Sequence, residues 1–231
     1  MGGGKVKVAN ALFHLVKGKN FNIDPSIPLS YLSRFILNKG ISLVYGMWRL
    51  RTTKRVFVSP TSKIICPSRM RFGKNLNIGY KCYIDALSIQ GLIFGSNVSL
   101  GMYTTIKLTG SFQRIGNYIK IGDNVGLGTH GFYGCGMGFL EVGDDTIIGN
   151  YVSIHPENHI YKDLSVPIRL QGVSGKGVRI GKNCWIGAKV TILDGTVIGN
   201  GCIVAAGAVV KGIYPDNVII GGIPAKIIRR R

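Results

Sequence analysis

The chain has 231 residues, enough for one large domain or one domain with a small appendage. Its 34 glycines lack the strict period of collagen, and only 17% of residues are charged, yet the net charge is +19. The excess is uneven: residues 1–81 carry 15 Lys/Arg against the single acid Asp24, whereas residues 82–231 carry 14 against nine acids.

A basic N-terminal third points to an anionic surface as partner. No RRM, KH or zinc-finger signature accompanies it, so nucleic acid is not an expected partner. The opening MGGGKVKVAN has neither the apolar core nor the cleavage site of a signal peptide, and Val6 stands where a myristoylation motif wants Ser or Thr. His14 falls in this basic segment and is expected at the surface. Ser26–Arg51 reads as helical, with Gly40 as a break, and sets Arg34, Lys39, Arg49 and Arg51 among large apolar residues. Its longest apolar run, Ile41–Trp48, is far short of the roughly 18 residues a membrane span needs. The expected location is therefore cytoplasmic, with peripheral contact at the inner face of the membrane. Residues 1–57 form a basic, partly helical segment outside the repeat that follows. It either lies in a membrane interface or caps the open end of the repeat domain.

From Ile180 an aliphatic residue recurs every sixth position: Ile180, Ile186, Ile192, Ile198, Val204 and Val210. Upstream the same step of six runs in triplets: Phe72, Ile78, Ile84; Phe94, Leu100, Ile106; Ile115, Ile121, Leu127; Val142, Ile148, Ile154. A strand of about five residues followed by a sharp corner gives this period, and three such sides close a triangular coil. Stacked coils satisfy one another's backbone and align their aliphatics in interior columns. The expectation is an all-β, parallel β-helix of about six coils over 58–218, roughly 29 Å long at ~4.8 Å per coil.

The interruptions carry as much information. All four lie between triplets, so they stack along one edge of the prism, and loops on a rigid scaffold are where function concentrates. The longest, about His159–Arg179, leaves the fourth coil. Cys82, Cys184 and Cys202 occupy the small interior position of the repeat, and Cys66 and Cys135 form no metal-binding spacing with them. His159 stands at the root of the longest loop, flanked by Glu157 and Asn158, which could orient substrate or its ring. Imidazole titrates near neutral pH, which suits a general base. His130 and His155 lie on the third sides of the third and fourth coils, His130 as a further substrate contact.

The stretches His155–His159, Pro167–Gly172, Ile180–Gly195, Cys202–Val210 and Gly222–Arg229 together resemble the maltose, galactoside and xenobiotic O-acetyltransferases of the hexapeptide-repeat group, including polysaccharide O-acetyltransferases. The resemblance implies a left-handed helix. It also implies acetyl-CoA as cosubstrate, a sugar or cell-surface polysaccharide hydroxyl as acceptor, and a homotrimer with active sites between subunits. It assigns the general base to His159 and the cofactor contacts to Trp185, Ala188, Ala206, Lys226 and Arg229. Residues 219–231 become a basic tail that meets coenzyme A. The group often has Thr-Lys after the last Val-Val. This chain has Lys211-Gly212, so Lys211 is expected to substitute at the adenosine end. No metal is expected. Two rivals stay open: a zinc enzyme resembling γ-class carbonic anhydrases, using His130, His155 and His159, and a non-catalytic β-helix that binds a surface.

Overall fold

In the computed structural model, residues 23–110 and 114–231 are described. His14 and the remaining expectations for residues 1–22 lie outside them. The chain divides into two compact units, one ending at Ile41 and the other running from Ser42 to Arg231. In the first, Ile23 and Leu32 are buried with Ile27 packed against them. Helix α1, Leu29–Arg49, begins there and runs through Gly40 without the expected break. The glycine costs helical propensity, but nothing in its surroundings terminates the helix.

The second unit is a left-handed parallel β-helix. Its three faces are parallel sheets. Face one begins Val56–Val58, Leu76–Ile78 and Ser99–Leu100, face two Lys63–Ile65, Tyr83–Asp85 and Thr105–Lys107, and face three Met70–Phe72, Gly91–Phe94 and Tyr118–Ile121. Faces two and three each hold seven strands among the described residues, one coil more than the about six expected. Face one continues through Val218–Gly222 into an antiparallel return, Ala225–Arg230, which takes residues 219–231 into the sheet.

The interior columns follow the pairing register. Face two stacks Ile64, Ile84, Ile106, Tyr133, Ile154, Ile192 and Val210. Face three stacks Phe72, Phe94, Ile121, Val142, Ile180, Ile198 and Tyr214. The third sequence triplet is thereby corrected by one side. It is Ile121, Leu127 and Tyr133, not Ile115, Ile121 and Leu127. A buried tyrosine at an aliphatic position hid the register, and Ile115 happened to fit it. The correction moves His130 off the third side to the corner before it. The long steps are Ile84 to Phe94, Ile106 to Ile121, Tyr133 to Val142 and Ile154 to Ile180, and all four fall at the edge between faces two and three.

The corners explain the sequence between the aliphatics. At the edge between faces three and one, Asn75, Asn97, Asn124, Asp145, Asn183 and Asn217 all have positive φ. Asn and Asp tolerate that conformation because their side chains bond locally. Here they also bond vertically: Asn75 donates to Asn97 at 2.7 Å, Asn97 to Asn124 at 2.8 Å, and Asn124 to Asp145 at 2.9 Å. Inside the corners, the Cys82, Cys184 and Cys202 thiols donate to carbonyls of Gly101, Gly199 and Pro215 in the next coil, as Thr104 and Thr146 hydroxyls do to Gly128 and Gly181. Burial pushes the Cys184 thiol up to about 11 and raises Cys82, which keeps both protonated as donors.

Beneath the first coil there is no further strand among the described residues. The last turns of α1 supply a cover. Gly46 lies so close to the Val56 carbonyl that a Cβ would sit 2.5 Å from it, and Tyr45 and Leu50 pack on the core. The Arg49 guanidinium donates to the Ile64 carbonyl at 2.6 Å, and Lys54 donates to that of Phe72 at 2.8 Å. The helix ends in a Schellman arrangement: Thr52 N–H bonds to Met47, Arg51 N–H bonds to Trp48, and Arg51 has φ 48°.

Candidate active site

The longest insertion is a built arm rather than a slack loop. Asn158–His159 pairs antiparallel with Val173–Ser174, and Ile160 N–H bonds to the Gly172 carbonyl at 3.0 Å. At its tip, Gln171 donates to the carbonyls of Asp163 and Val166, and Asp163 accepts from the Ser165 backbone and hydroxyl. The arm's root presses against the turn of the preceding coil. A Cβ on Gly138 would meet the Pro156 carbonyl at 2.2 Å, and one on Gly175 would meet Gly138 N at 2.5 Å.

One buried carboxylate joins both strands of that root. Asp194, 6% exposed, accepts from Lys176 N–H at 2.7 Å, Gly177 N–H at 2.9 Å and the Asn158 side-chain amide at 3.0 Å. Side chains alternate along a strand. With Asn158 turned to Asp194, its neighbour His159 projects on the opposite side of the ribbon, where it is exposed. Sequence reasoning missed Asp194 because nothing in the Leu193-Asp194-Gly195 corner distinguishes a solvated acid from a buried one. Glu157 does not flank the His159 ring as expected. Its carboxylate accepts from Met137 N–H at 3.0 Å and packs on Gly136, where φ is 52°. Asn158 likewise spends its amide donor on the scaffold.

His130 lies at a different edge, between faces one and two. Its ring stacks on Tyr103 at 4.9 Å and Tyr151 at 4.8 Å, with Tyr80 edge-on to Tyr103 at 5.8 Å. Lys81, Tyr103, His130, Tyr151 and Lys189 all have positive φ at this corner. Each stands three residues before a face-two interior residue, so the repeat register could have found the column. His155 is on face two and stacks on Phe132 at 5.3 Å; partial burial lowers its pKa, opposed by the charge of Glu157. The three histidines thus occupy three places on the prism and do not converge on a zinc ion, and no group of three metal-binding side chains occurs among the described residues.

The cofactor candidates cluster in the last coils. Trp185 stands outward on face one, 57% exposed, between Ile147 and Ile203 of the adjoining strands. Lys226 and Arg229 lie on the antiparallel return of the same sheet, opposite Gly221 and Ile219. Ala188 and Ala206 occupy equivalent corners of successive coils at the edge between faces one and two, and the Gly207 N–H bonds to the Ala188 carbonyl at 2.9 Å. Lys211 directly follows Val210, which pairs with Ile192, and so sits at the arm's edge as His155 and Leu193 do in the preceding coils. An exposed indole, two methyl-sized corners and exposed cations fit a ligand with a slender apolar chain and phosphates. Face two separates Ala188 and Ala206 from His159 within one chain.

The fold and this arrangement define a β-helical acyltransferase framework, and comparison with known proteins agrees. Residues 177–212 match the model of the bacterial transferase hexapeptide (six repeats). The chain is 31% identical to the lipopolysaccharide biosynthesis O-acetyl transferase WbbJ of Escherichia coli K12, over 70% of this chain and 71% of that one. It is 38% identical to the acetyltransferase Rv3034c of Mycobacterium tuberculosis over 49% of this chain, and spans 37% of that protein's length. Among solved structures it resembles AntD, an N-acyltransferase from Bacillus cereus in complex with dTDP and 3-hydroxybutyryl-CoA. The TM-score is 0.54 at 21% identity, covering 77% of this chain and 81% of AntD, which speaks for the fold alone. The chain belongs to the hexapeptide-repeat acetyltransferase family.

Proposed function

We propose that this protein transfers the acetyl group of acetyl-CoA to a hydroxyl of a sugar or cell-surface polysaccharide, with His159 as general base. The observation that carries the reading is His159, exposed at the root of a strand-paired arm beside the Asp194–Asn158 clamp. The His159 imidazole takes the acceptor hydroxyl proton as the oxygen attacks the thioester carbonyl. The C–S bond then breaks as the ester forms, and the imidazolium returns the proton to the leaving thiolate. A positioned backbone N–H would stabilise the intermediate oxyanion. Trp185, Ala188 and Ala206 would line the pantetheine groove, and Lys211, Lys226 and Arg229 would meet phosphates. The name of WbbJ favours a glycan acceptor.

The site is completed between copies in a homotrimer. Two observations support this: His159 and the alanine corners lie on opposite edges of face two, and the arm exposes apolar residues, with Tyr161 65% and Leu164 99% accessible. Peripheral contact with an anionic membrane belongs to the same reading, since it would place the enzyme beside lipid-linked glycans. No helix among the described residues is long and apolar enough to cross a membrane. The test is incubation with acetyl-CoA and a panel of nucleotide sugars, lipid-linked glycans and polysaccharides, followed by mass spectrometry. An acetyl ester on a sugar hydroxyl is the expected product. Reaction only with an amino sugar would overturn O-transfer, and no acyl transfer to any acceptor would return the protein to a binding role.

A further inference from the structure

The last turns of α1 expose two large apolar side chains that the β-helix does not use. Val44 and Trp48 are each 71% accessible, while Tyr45, between them on the chain, packs on the core and lies 5.7 Å ring to ring from Trp48. Leu50 and Arg51 follow directly. They line a cleft of about 510 Å³ with Thr52, Lys54, Arg71 and Phe72, at the end of the prism away from the cofactor candidates. Among the described residues, three cations and no acid border this cleft. Lys54 spends one donor on the Phe72 carbonyl and stands 5.6 Å over the Phe72 ring, leaving two donors toward solvent. Arg51 is exposed, turned outward by its left-handed backbone at the helix end. The two ion pairs among the described residues, Arg179–Glu141 and Lys182–Asp144, belong to later coils. From residue 25 to residue 84 there are 11 Lys/Arg and no Asp or Glu.

We infer that this end of the molecule is a docking surface for an anionic lipid bilayer. Val44 and Trp48 enter the headgroup boundary, and Arg51, Lys54 and Arg71 hold lipid phosphates in the cleft. An indole prefers the membrane–water boundary, and basic residues beside it gain from the negative surface potential. A second copy of this chain is a poor occupant, because the same surface offers no acid to meet its cations. The inference rests on the peripheral membrane contact of the proposed function, for which it names the surface, and it does not depend on His159.

The test is co-sedimentation of the full chain with vesicles of phosphatidylcholine alone or with about one third phosphatidylglycerol, at low and high salt. Binding is expected only to the anionic vesicles and should weaken with salt. In a Trp185→Phe background the emission of Trp48 should shift to the blue on binding. Two variants probe the two halves. Arg51→Glu/Lys54→Glu/Arg71→Glu should lower partitioning by about tenfold or more, and Val44→Ser/Trp48→Ser should do the same without touching the core. Both should keep acetyl transfer to a water-soluble acceptor, which separates failure here from failure of the catalytic reading. No binding to anionic vesicles, equal binding to neutral ones, or undiminished binding by both variants would overturn the proposal.

Discussion

Tyr133 fills a position that aliphatic residues fill in the other coils of its column. It is fully buried, and its hydroxyl meets no hydrogen-bond partner. An unsatisfied buried hydroxyl costs about 1–3 kcal/mol. Tyr133→Phe should therefore raise stability by about 1 kcal/mol, seen as a thermal midpoint some 2–4 °C higher; a midpoint below wild type would mean the hydroxyl has a partner. Asp194 works in the opposite sense. Asp194→Ala leaves Asn158 and two backbone N–H groups of the arm root unpaired, so His159 loses its fixed direction. Turnover should fall by about 10- to 100-fold while the KM for acetyl-CoA stays within about twofold, and an unchanged kcat would show that the clamp does not position the base. His155 gives a pH signature. Burial holds its pKa below the ordinary value, so the unfolded chain binds the proton more readily. Its contribution is present above the unfolded pKa of about 6.5 and fades as pH falls through the lowered folded value. A His155→Gln variant should lose less stability between neutral and mildly acidic pH than wild type. Equal losses would place the acid sensitivity elsewhere. His159 was visible in the sequence because its position relative to the repeat is a matter of counting. Asp194 was not, because a carboxylate's burial depends on which backbone donors surround it.

At the scale of elements, the repeat was legible wherever each side placed an aliphatic at its interior position, and it slipped where Tyr133 replaced one. The edge that collects the insertions survived that slip, because a shift of one side in the third coil still leaves every long step between faces two and three. The corner chemistry was harder to read. Asn97 and Asn124 look like ordinary loop polar residues until stacking shows each donating to the next coil. Asn124→Ala would put a Cβ-bearing residue without a local partner at φ 57° and remove two ladder bonds. The expected loss is about 2 kcal/mol, measured by thermal or denaturant unfolding; a variant as stable as wild type would reduce the ladder to a crystal-like ornament of the corner. Helix α1 was legible as a helix, but Gly40 does not break it as expected. One glycine weakens a helix by roughly 1 kcal/mol, which the surrounding 21-residue element absorbs.

At the scale of the whole molecule, the proposed reaction draws on more than one chain. His159 and its arm occupy one edge of face two, and Ala188 and Ala206 occupy the other, with Trp185, Lys226 and Arg229 beyond them on face one. The proposed homotrimer should be the species found in solution, with the active site shared between neighbouring chains. Mixing His159→Ala chains with Lys226→Ala/Arg229→Ala chains during refolding should recover part of the activity that each homomer lacks. A site contained in one chain predicts no recovery. The role of His159 as general base is tested most directly by acetyl transfer from acetyl-CoA to a hydroxyl acceptor with the His159→Ala protein, coenzyme A affinity being measured on the same sample. A kcat lower by about 10²- to 10⁴-fold with coenzyme A binding retained is expected; near wild-type turnover with binding intact would remove His159 from the mechanism.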